Sequence, residues 1–264
     1  MKNQVDRDWW KDIFDDMYLL TDARSVCNEE LTSMEVDFLQ EALDMDTSSP
    51  ILDMCGGQGR HSLELSRRGF IKVTVLDYSK YLIGLGGKKA KQEGLNTVFI
   101  QGDARNSGLP GQSFHFCLIM ASSFGYFMNE EENKKILVEA SRLLMYKGTL
   151  LLDLPDRDYV LQNFNPFSTH KVDEDITVSR ERELGNDIIY SRERVISAKK
   201  GCLRDSTYCT RLYSPEKIID LLYSVGFSSI TCRKGFMSRA AEGDYGCMTN
   251  RMIVITKKDK KHSL

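Results

Sequence analysis

The chain has 264 residues, of which 41% are hydrophobic and 28% are charged, and its formal net charge is −2 at pH 7. These values are ordinary for a globular protein of one domain, or of one domain with an insertion. The charge gives no global reason to expect nucleic-acid binding, and no apolar run approaches the roughly 20 residues of a membrane span. The seven cysteines form no CxxC pair, and the aromatic, acidic N-terminal stretch is unlike a signal peptide. We therefore expect a cytoplasmic protein with reduced thiols and no metal site.

The N-terminal region combines aromatic and acidic residues. Trp10, Phe14 and either Met17 or Tyr18 recur at the spacing of one helix face, which predicts a helix packed on the core or a lid over a ligand. Residues 32–35, Thr-Ser-Met-Glu, have the form of a capping box and predict the start of a second helix.

Apolar strands alternate with helices between residues 50 and 155. The strands are predicted at about 50–54, 71–77, 97–101, 114–120 and 149–154, and the helices at about 60–68, 79–93 and 130–146. Alternation of this kind is typical of a doubly wound, mostly parallel sheet in an α/β protein.

The pattern changes after this region. From about residue 167 to 213, polar residues alternate with branched or aromatic ones, with turns at 185–187 and 200–201, which predicts three or four antiparallel strands. Ser214 and Pro215 then start a helix, residues 227–233 and 251–256 are expected to form a closing hairpin, and the basic tail from residue 257 is expected to fray.

The glycine-rich stretch is residues 51–60, Ile-Leu-Asp-Met-Cys-Gly-Gly-Gln-Gly-Arg, where a strand runs into a helix. Glycine lets a ligand approach the backbone, and the helix N-terminus offers free N–H groups. Asp77 follows Gly57 by 20 residues and ends the next strand, close to the spacing at which an acid binds ribose hydroxyls. An NAD fingerprint would require glycine or alanine where Arg60 or Ser62 stands, so a dinucleotide is disfavoured.

Residues 53–59 resemble motif I of the class I S-adenosylmethionine-dependent methyltransferases, usually D-x-G-x-G-x-G, with Cys55 at the first glycine. Asp77, the Gly-Asp-Ala at 102–104 and the segment 120–126 fall in the order and spacing of that family's later motifs. The resemblance covers residues 50 to 155, and more loosely the C-terminal helix and hairpin. It implies a seven-stranded Rossmann-like sheet, S-adenosylmethionine as cofactor and methyl transfer as activity.

The resemblance also implies a set of cofactor-binding residues. Asp77 would bind the ribose, and Tyr78 would lie on the adenine face. Asp103 would accept from the adenine amino group, and Tyr18, with Arg24, could reach the methionine carboxylate. The full set is Asp53, Cys55, Gly57, Gly59, Asp77, Tyr78, Asp103, Ala104, Met120 and Tyr18.

The segment after the fourth strand lies beside the reactive methyl group in this family, which makes Ser122, Phe124 and Tyr126 the candidates for acceptor binding. Tyr126 could act as a catalytic residue that orients an amine or hydroxyl, or it could belong to the core. Methyl transfer depends chiefly on alignment and desolvation, and a base is needed only if the acceptor must lose a proton. His61 could be such a base, but packing of the turn is the preferred interpretation.

Asp153, Asp156 and Arg157 stand at the end of the fifth strand, where they could touch a polar acceptor or form ordinary salt bridges. We divide the chain into an N-terminal helical lid (1–46), a Rossmann-like domain (47–165 and 214–257) and an antiparallel β insertion (166–213). The insertion could roof the acceptor pocket or form a homodimer surface.

An antiparallel insertion with an aromatic N-terminal helix is similar to the small-molecule methyltransferases of the family, including sugar N-methyltransferases. The prediction is methyl transfer to nitrogen or oxygen of a small polar metabolite, with no nucleic-acid or membrane partner. The alternatives are an RNA or protein methyltransferase, and a non-catalytic cofactor-binding protein of the same fold.

Overall fold

The structure, a computed structural model, describes residues 2–236 and 249–259. Cys247 and the last five residues of the basic tail lie outside this part of the chain. The strands are β1 (Ile51–Met54), β2 (Val73–Asp77), β3 (Val98–Gln101), β4 (Phe114–Ile119), β5 (Leu144–Pro155), β6 (Phe167–Lys171), β7 (Ile176–Gly185), β8 (Ile188–Ser197), β9 (Gly201–Arg211), β10 (Phe227–Phe236) and β11 (Arg251–Lys258). The α-helices are α1 (Asp16–Thr21), α2 (Ala23–Val26), α3 (Glu29–Leu43), α4 (Arg60–Arg67), α5 (Lys80–Glu93), α6 (Glu130–Leu143), α7 (Arg157–Gln162) and α8 (Pro215–Ser224). Two 3₁₀ turns cover Lys2–Gln4 and Trp9–Lys11.

The main sheet has seven strands in the order β10-β11-β5-β4-β1-β2-β3. The strands from β5 to β3 pair in parallel, and β11 pairs antiparallel with both β5 and β10. The predicted α/β, Rossmann-like, mostly parallel sheet is confirmed. Because parallel strands end at the same edge, the segments that follow β1, β2, β3 and β4 converge there.

The sheet is buried on both faces, as expected for central parallel strands. Along β4, Cys117 and Ile119 pack in the hydrophobic cluster that includes residues of α6 and α8. Leu118 points the other way and packs with Val36 and Leu39 of α3. This alternation places α3 on one face of the sheet and α6 with α8 on the other.

The second sheet contains four antiparallel strands in the order β6-β7-β8-β9. Strands β7 and β8 are joined by Asn186 and Asp187, whose φ angles are 52° and 59°. Two residues in the left-handed region form the turn type whose twist matches a hairpin. The antiparallel strands predicted for this region are therefore present, as a separate sheet.

Several predicted boundaries differ from the structure. The N-terminal aromatic residues do not share one continuous helix, because α1 begins only at Asp16, with the Asp15 side chain accepting from the backbone N–H of Tyr18 (3.2 Å). Helix α3 begins at Glu29, since the Asn28 side chain accepts from the N–H of Leu31 (2.9 Å). The predicted capping box therefore lies inside that helix.

A further difference lies at the end of α6. The helix stops at Leu143 and β5 starts directly at Leu144. Strand β11 also runs past its predicted end to Lys258, whose buried ammonium group donates to the carbonyl oxygen of Leu144 (2.7 Å). No helix in the described ranges is both long and apolar enough to cross a bilayer.

Candidate active site

The turn between β1 and α4 has three residues in the left-handed region: Cys55 (φ 60°), Gly57 (φ 58°) and Gly59 (φ 70°). At Gly56, a Cβ atom would lie 2.6 Å from Cγ and 2.8 and 2.9 Å from the carboxylate oxygens of Asp53. This close approach requires glycine at position 56. Cys55 replaces the first motif glycine at the cost of a strained backbone conformation.

Asp53 lies beneath this turn and is almost fully buried. Its Oδ2 accepts a hydrogen bond from the hydroxyl of Ser62 (2.7 Å). Its Oδ1 is covered and has no hydrogen-bond partner among the described residues. Burial raises the pKa of Asp53 to about 6, because a carboxylate loses its hydration there.

Asp77 joins the end of β2 to the glycine turn. Its Oδ2 accepts from the backbone N–H of Gly57 (2.8 Å), and its Oδ1 accepts from that of Ser79 (2.8 Å). Burial raises the pKa of Asp77 above its usual range, and these backbone hydrogen bonds oppose that rise. Each carboxylate oxygen keeps further lone-pair capacity for a ligand hydroxyl.

Asp103 forms a compact ion pair with Arg105, whose Nη2 donates to Oδ2 at 2.6 Å. The guanidinium carbon of Arg105 lies 5.0 Å from the ring centroid of Trp10 and 4.7 Å from that of Phe127. The Trp10 ring in turn contacts Tyr78 edge-on, with centroids 4.6 Å apart. Asp103, predicted to accept from adenine, therefore already has a charged protein partner.

The first cavity lies over the carboxyl ends of β1 to β4, with an empty volume of about 920 Å³ that includes its open mouth. Nine of the ten predicted cofactor residues line it: Asp53, Cys55, Gly57, Asp77, Tyr78, Asp103, Ala104, Met120 and Tyr18. Gly59 does not line it and instead lies against the Phe99 ring, which is 2.7 Å from where a Cβ would stand.

Sequence reasoning missed several residues of this lining. Gln58 and Arg60 lie in the glycine motif itself, so their position there could have indicated them. Trp10, Phe14 and Phe127 also line the first cavity, and no local pattern indicates that they meet there.

The second cavity lies between the N-terminal segment (residues 2–27), the turn after β4 and strands β7 to β9. The lining that it shares with the first cavity consists of Phe14, Tyr18, Val26, Ala121 and Tyr126. The two cavities are therefore neighbours with a common wall. Of the predicted acceptor residues, Ser122 lines the second cavity and Tyr126 lines both.

Phe124 is placed elsewhere by the structure. Its side chain is fully buried in the core, where its ring centroid lies 5.3 Å from that of Tyr213. It lines neither cavity, because the chain after β4 turns at Ala121 and Ser122 and directs position 124 away from the opening. Tyr126 instead stacks on Phe14, with centroids 5.6 Å apart.

The turn at Ala121 and Ser122 is strained, since both residues have positive φ angles (56° and 59°). Asp153 holds it in place. Its Oδ2 accepts from the N–H of Ala121 (2.8 Å), and its backbone carbonyl accepts from the N–H of Ser122 (3.1 Å). Asp153 thus supports the common wall from below, although it lines neither cavity.

A buried ion network extends from Asp153. Arg251, which is fully buried, pairs with Asp153 and with Glu35 of α3. Glu35 also pairs with Arg60 and lies 2.9 Å from Nε2 of His61. Burial lowers the pKa of His61 to about 4, so this imidazole is neutral at pH 7 and donates to Glu35. His61 thus lines the first cavity and packs the turn from within this network.

Asp156 and Arg157, the other candidates at the end of the fifth strand, line neither cavity. Asp156 caps α7 by accepting from the N–H groups of Asp158 and Tyr159. Arg157 pairs with Asp187 at 2.8 Å. Arg24 also lines neither cavity. The assignment of each predicted site residue stays a prediction.

The N-terminal segment connects the two sheets above the cavities. Toward the main sheet, the hydroxyl of Ser79 donates to the carbonyl of Phe14 (2.6 Å) and Nε2 of Gln58 donates to that of Val26 (2.9 Å). Toward the insertion, Arg204 of β9 pairs with Asp15. The segment therefore covers both cavities in the structure.

The first cavity fits S-adenosylmethionine by the chemistry of its lining. The unpartnered Oδ1 of Asp53 suits a cationic group of a ligand, and Asp77 suits a pair of ribose hydroxyls. The rings of Tyr78 and Trp10 offer aromatic surface for a base.

Comparison with known proteins agrees with this fit. Residues 51–148 match a family model described as a methyltransferase domain. This part of the chain is therefore a methyltransferase domain of the class I, S-adenosylmethionine-dependent type, as the resemblance predicted. The predicted cofactor, S-adenosylmethionine, is confirmed with it.

The individual relatives differ in how much of the chain they cover. EEF1A lysine methyltransferase 2 of Homo sapiens is 30% identical over 107 residues, which is 39% of this chain and 45% of that protein. A glycine/sarcosine N-methyltransferase of Aphanothece halophytica is 26% identical over 232 residues, 86% of this chain and 83% of that protein. The chain thus spans less than half the length of the first of these relatives.

The fold is shared with solved structures. One is the S-adenosylmethionine-bound structure of CalS10, described as an amino pentose methyltransferase from Micromonospora echinaspora. Its TM-score is 0.67 at 16% sequence identity, with 94% of this chain and 98% of that chain covered. At this identity the likeness concerns the fold.

Proposed function

We propose that the protein transfers a methyl group from S-adenosylmethionine to a nitrogen or oxygen atom of a small polar metabolite. The observation that carries this proposal is the common wall of the two cavities, formed by Phe14, Tyr18, Val26, Ala121 and Tyr126. In-line displacement requires donor and acceptor to face each other across the transferred carbon, with the acceptor atom about 3–3.5 Å from that carbon. Two sites that meet at one wall suit this requirement.

When bound, S-adenosylmethionine supplies a methyl group attached to a positively charged sulfur. Asp77 would bind the ribose, and the free oxygen of Asp53 would accept from a cationic group of the cofactor. Tyr18 and Tyr126 would cover the junction of the cavities and exclude water. Ser122 and Tyr126 would orient the acceptor, the former from the strained turn that Asp153 supports.

A small acceptor is favoured over a macromolecule because the second cavity is covered. The N-terminal segment closes it, held by the pairs of Asp15 with Arg204 and Asp22 with Arg180. A protein or RNA chain would have to displace this segment. A glycine/sarcosine N-methyltransferase matches 86% of this chain, whereas the match to a lysine methyltransferase is confined to 107 residues.

Calorimetric titration with S-adenosylmethionine tests the first half of the proposal. Wild-type protein is expected to bind it, and Asp77→Asn to bind it about 10- to 100-fold more weakly, because a charge-assisted hydrogen bond contributes about 1.5–3 kcal/mol. Asp205→Asn is the matched control, since Asp205 on β9 pairs with Arg192 on β8 and lines neither cavity.

Two results would contradict the assignment. One is the absence of binding by the wild-type protein. The other is equal affinity of Asp77→Asn and Asp205→Asn for the cofactor. Binding without any release of S-adenosylhomocysteine in the presence of a metabolite extract would favour the non-catalytic alternative.

A further inference from the structure

One carboxylate in the second cavity has a protein hydrogen-bond partner on only one of its two oxygens. Glu193 on β8 is 4% exposed and lines this cavity. Its Oε2 accepts from Nε of Arg180 (2.7 Å). Its Oε1 accepts no hydrogen bond from residues 2–236 or 249–259. A carboxylate oxygen that lines a cavity without a protein partner has its lone pairs free to accept from a ligand or water.

Glu193 shares its cationic partner with a second carboxylate. Arg180 also donates to both carboxylate oxygens of Asp22, at 3.2 and 3.1 Å. One guanidinium group therefore serves two carboxylates. The other arginines of the lining are already engaged, Arg204 with Asp15 and Arg182 with the hydroxyl of Ser168 (3.1 Å).

Aromatic rings make up much of the remaining lining. Trp9 is at the centre of this group, with ring centroids 6.1 Å from Phe14, 5.2 Å from Tyr126 and 5.7 Å from Tyr208. Tyr18 adds a further ring, edge-on to Phe14 at 5.1 Å. Ring faces attract cations, and aromatic cages are the common means of binding substituted ammonium groups.

We propose that the acceptor is a small amine that enters the second cavity as an ammonium ion, and that Glu193 binds this group and takes its proton. The inference rests on the proposed function and narrows its acceptor from nitrogen or oxygen to an amine. The aromatic rings would hold the rest of the cation, before and after it gains a methyl group.

The reaction balances with the groups named. An N–H proton moves from the ammonium ion to Glu193, which becomes a neutral carboxylic acid, and the nitrogen keeps the lone pair. That lone pair forms the new N–CH₃ bond while the S–CH₃ bond breaks, and its electron pair remains on the sulfur. Glu193 later returns the proton to water. A carboxylate is too weak a base to prepare an alcohol in this way.

The surroundings of Glu193 favour proton uptake. Burial raises the pKa of this carboxyl above its usual range, and Asp22 adds to that effect, while Arg180 and Arg204 oppose it. The other titratable or charged groups of the cavity are Arg182 on β7, Tyr208 on β9, Tyr18 on α1 and Tyr126 after β4. A carboxyl with a raised pKa holds a proton more readily than an exposed one.

The test uses tetramethylammonium ion and tert-butanol as a charged and a neutral probe of similar shape. S-adenosylhomocysteine is present at saturation, so that the first cavity is filled, and the fluorescence of Trp9 reports on the second. The wild-type protein is expected to bind the cation and not the alcohol. Glu193→Gln is expected to bind the cation at least about tenfold more weakly.

Glu181→Gln is the matched control, because Glu181 on the neighbouring strand pairs with Arg194 and lines neither cavity. It is expected to bind the cation like the wild-type protein. If Glu193→Gln fails to fold, Tyr208→Leu replaces it, with an expected loss of about 2- to 30-fold from the missing cation–π contact.

The proposal is overturned if the wild-type protein binds neither probe, binds both equally, or binds the cation as well after Glu193→Gln as before it. Calorimetry with S-adenosylmethionine on the same samples separates this failure from that of the proposed function. Cofactor binding with no preference for the cation removes only the amine assignment, whereas loss of cofactor binding removes the proposed function itself.

Discussion

Two glycines in α5 give opposite predictions for the same substitution. Gly84 and Gly86 both lie inside this helix. A Cβ at Gly84 would have no atom within 4 Å. A Cβ at Gly86 would lie 2.3 Å from Cε1 of Phe99 and 2.5 Å from the carbonyl oxygen of Gln58, which belongs to the glycine turn. Both the Phe99 ring and the backbone of Gln58, which lines the first cavity, would have to move.

The expected magnitudes follow from these contacts. Replacing glycine by alanine inside a helix adds about 0.5–1 kcal/mol to the free energy of unfolding. Gly84→Ala should show this gain in full. At Gly86, overpacking costs about 1–3 kcal/mol, so Gly86→Ala should lower the free energy of unfolding by a net of about 0.5–2 kcal/mol.

Urea denaturation measures the stability of both variants, and calorimetry measures their affinity for S-adenosylhomocysteine. We expect Gly86→Ala to weaken cofactor binding, because it displaces Gln58 and the turn around it, and Gly84→Ala to leave binding unchanged. Equal stabilisation by both substitutions would refute the close packing of α5 on the turn. Unchanged affinity in Gly86→Ala would refute the link between this packing and the cofactor.

Two further predictions concern buried charges. Arg251→Met should lower the free energy of unfolding by about 3–5 kcal/mol, since it leaves Asp153 buried without its cation and removes one of the two arginines that pair with Glu35. A loss no larger than that of Lys217→Met, in an exposed ion pair with Glu130, in the same denaturation experiment would contradict the network. Asp53 has a folded-state pKa of about 6, above its unfolded value of about 3.9, so its contribution to stability is full below about pH 4 and is lost as the pH rises through about 6. The difference in free energy of unfolding between the wild-type protein and Asp53→Asn should fall by about 2–3 kcal/mol over this range, and a difference that is flat with pH would show that Asp53 is not desolvated.

The parallel sheet was predictable from the sequence because its signals are local. Each strand is a short apolar run that ends in a turn, and several helices have a side-chain cap, such as Asn129 before α6 or Ser214 before α8. The two-residue turn at Asn186 and Asp187 likewise indicates a hairpin without reference to the rest of the chain. Period and turn chemistry together define these elements.

The buried network was not predictable because its partners are far apart in the chain. Glu35 fits the pattern of a capping box, yet its side chain is bound to Arg251, 216 residues later. Once that pairing forms, Asn28 caps α3 instead. A capping pattern takes account only of local contacts, whereas the position of the Glu35 side chain is determined by its tertiary ion pair with Arg251.

The acceptor side was the least predictable part of the site. The family resemblance suggested Ser122, Phe124 and Tyr126 as acceptor residues, but the strained turn directs Phe124 into the core. Glu193 lies on the inserted sheet, which was expected to roof the acceptor pocket or form a dimer surface, but no local pattern distinguishes Glu193 from the other charged residues of β7 and β8. Which face of an inserted sheet is covered depends on where the N-terminal segment lies, and local sequence does not encode that position.

Transfer of a labelled methyl group tests the central claim most directly. The protein is incubated with S-adenosylmethionine that carries tritium in its methyl group, together with a metabolite extract, and the products are separated into small molecules and macromolecules. We predict that the label appears among the small molecules, with one S-adenosylhomocysteine released for each methyl group transferred. Label that enters only macromolecules, or that never leaves the cofactor, would contradict methyl transfer to a small acceptor.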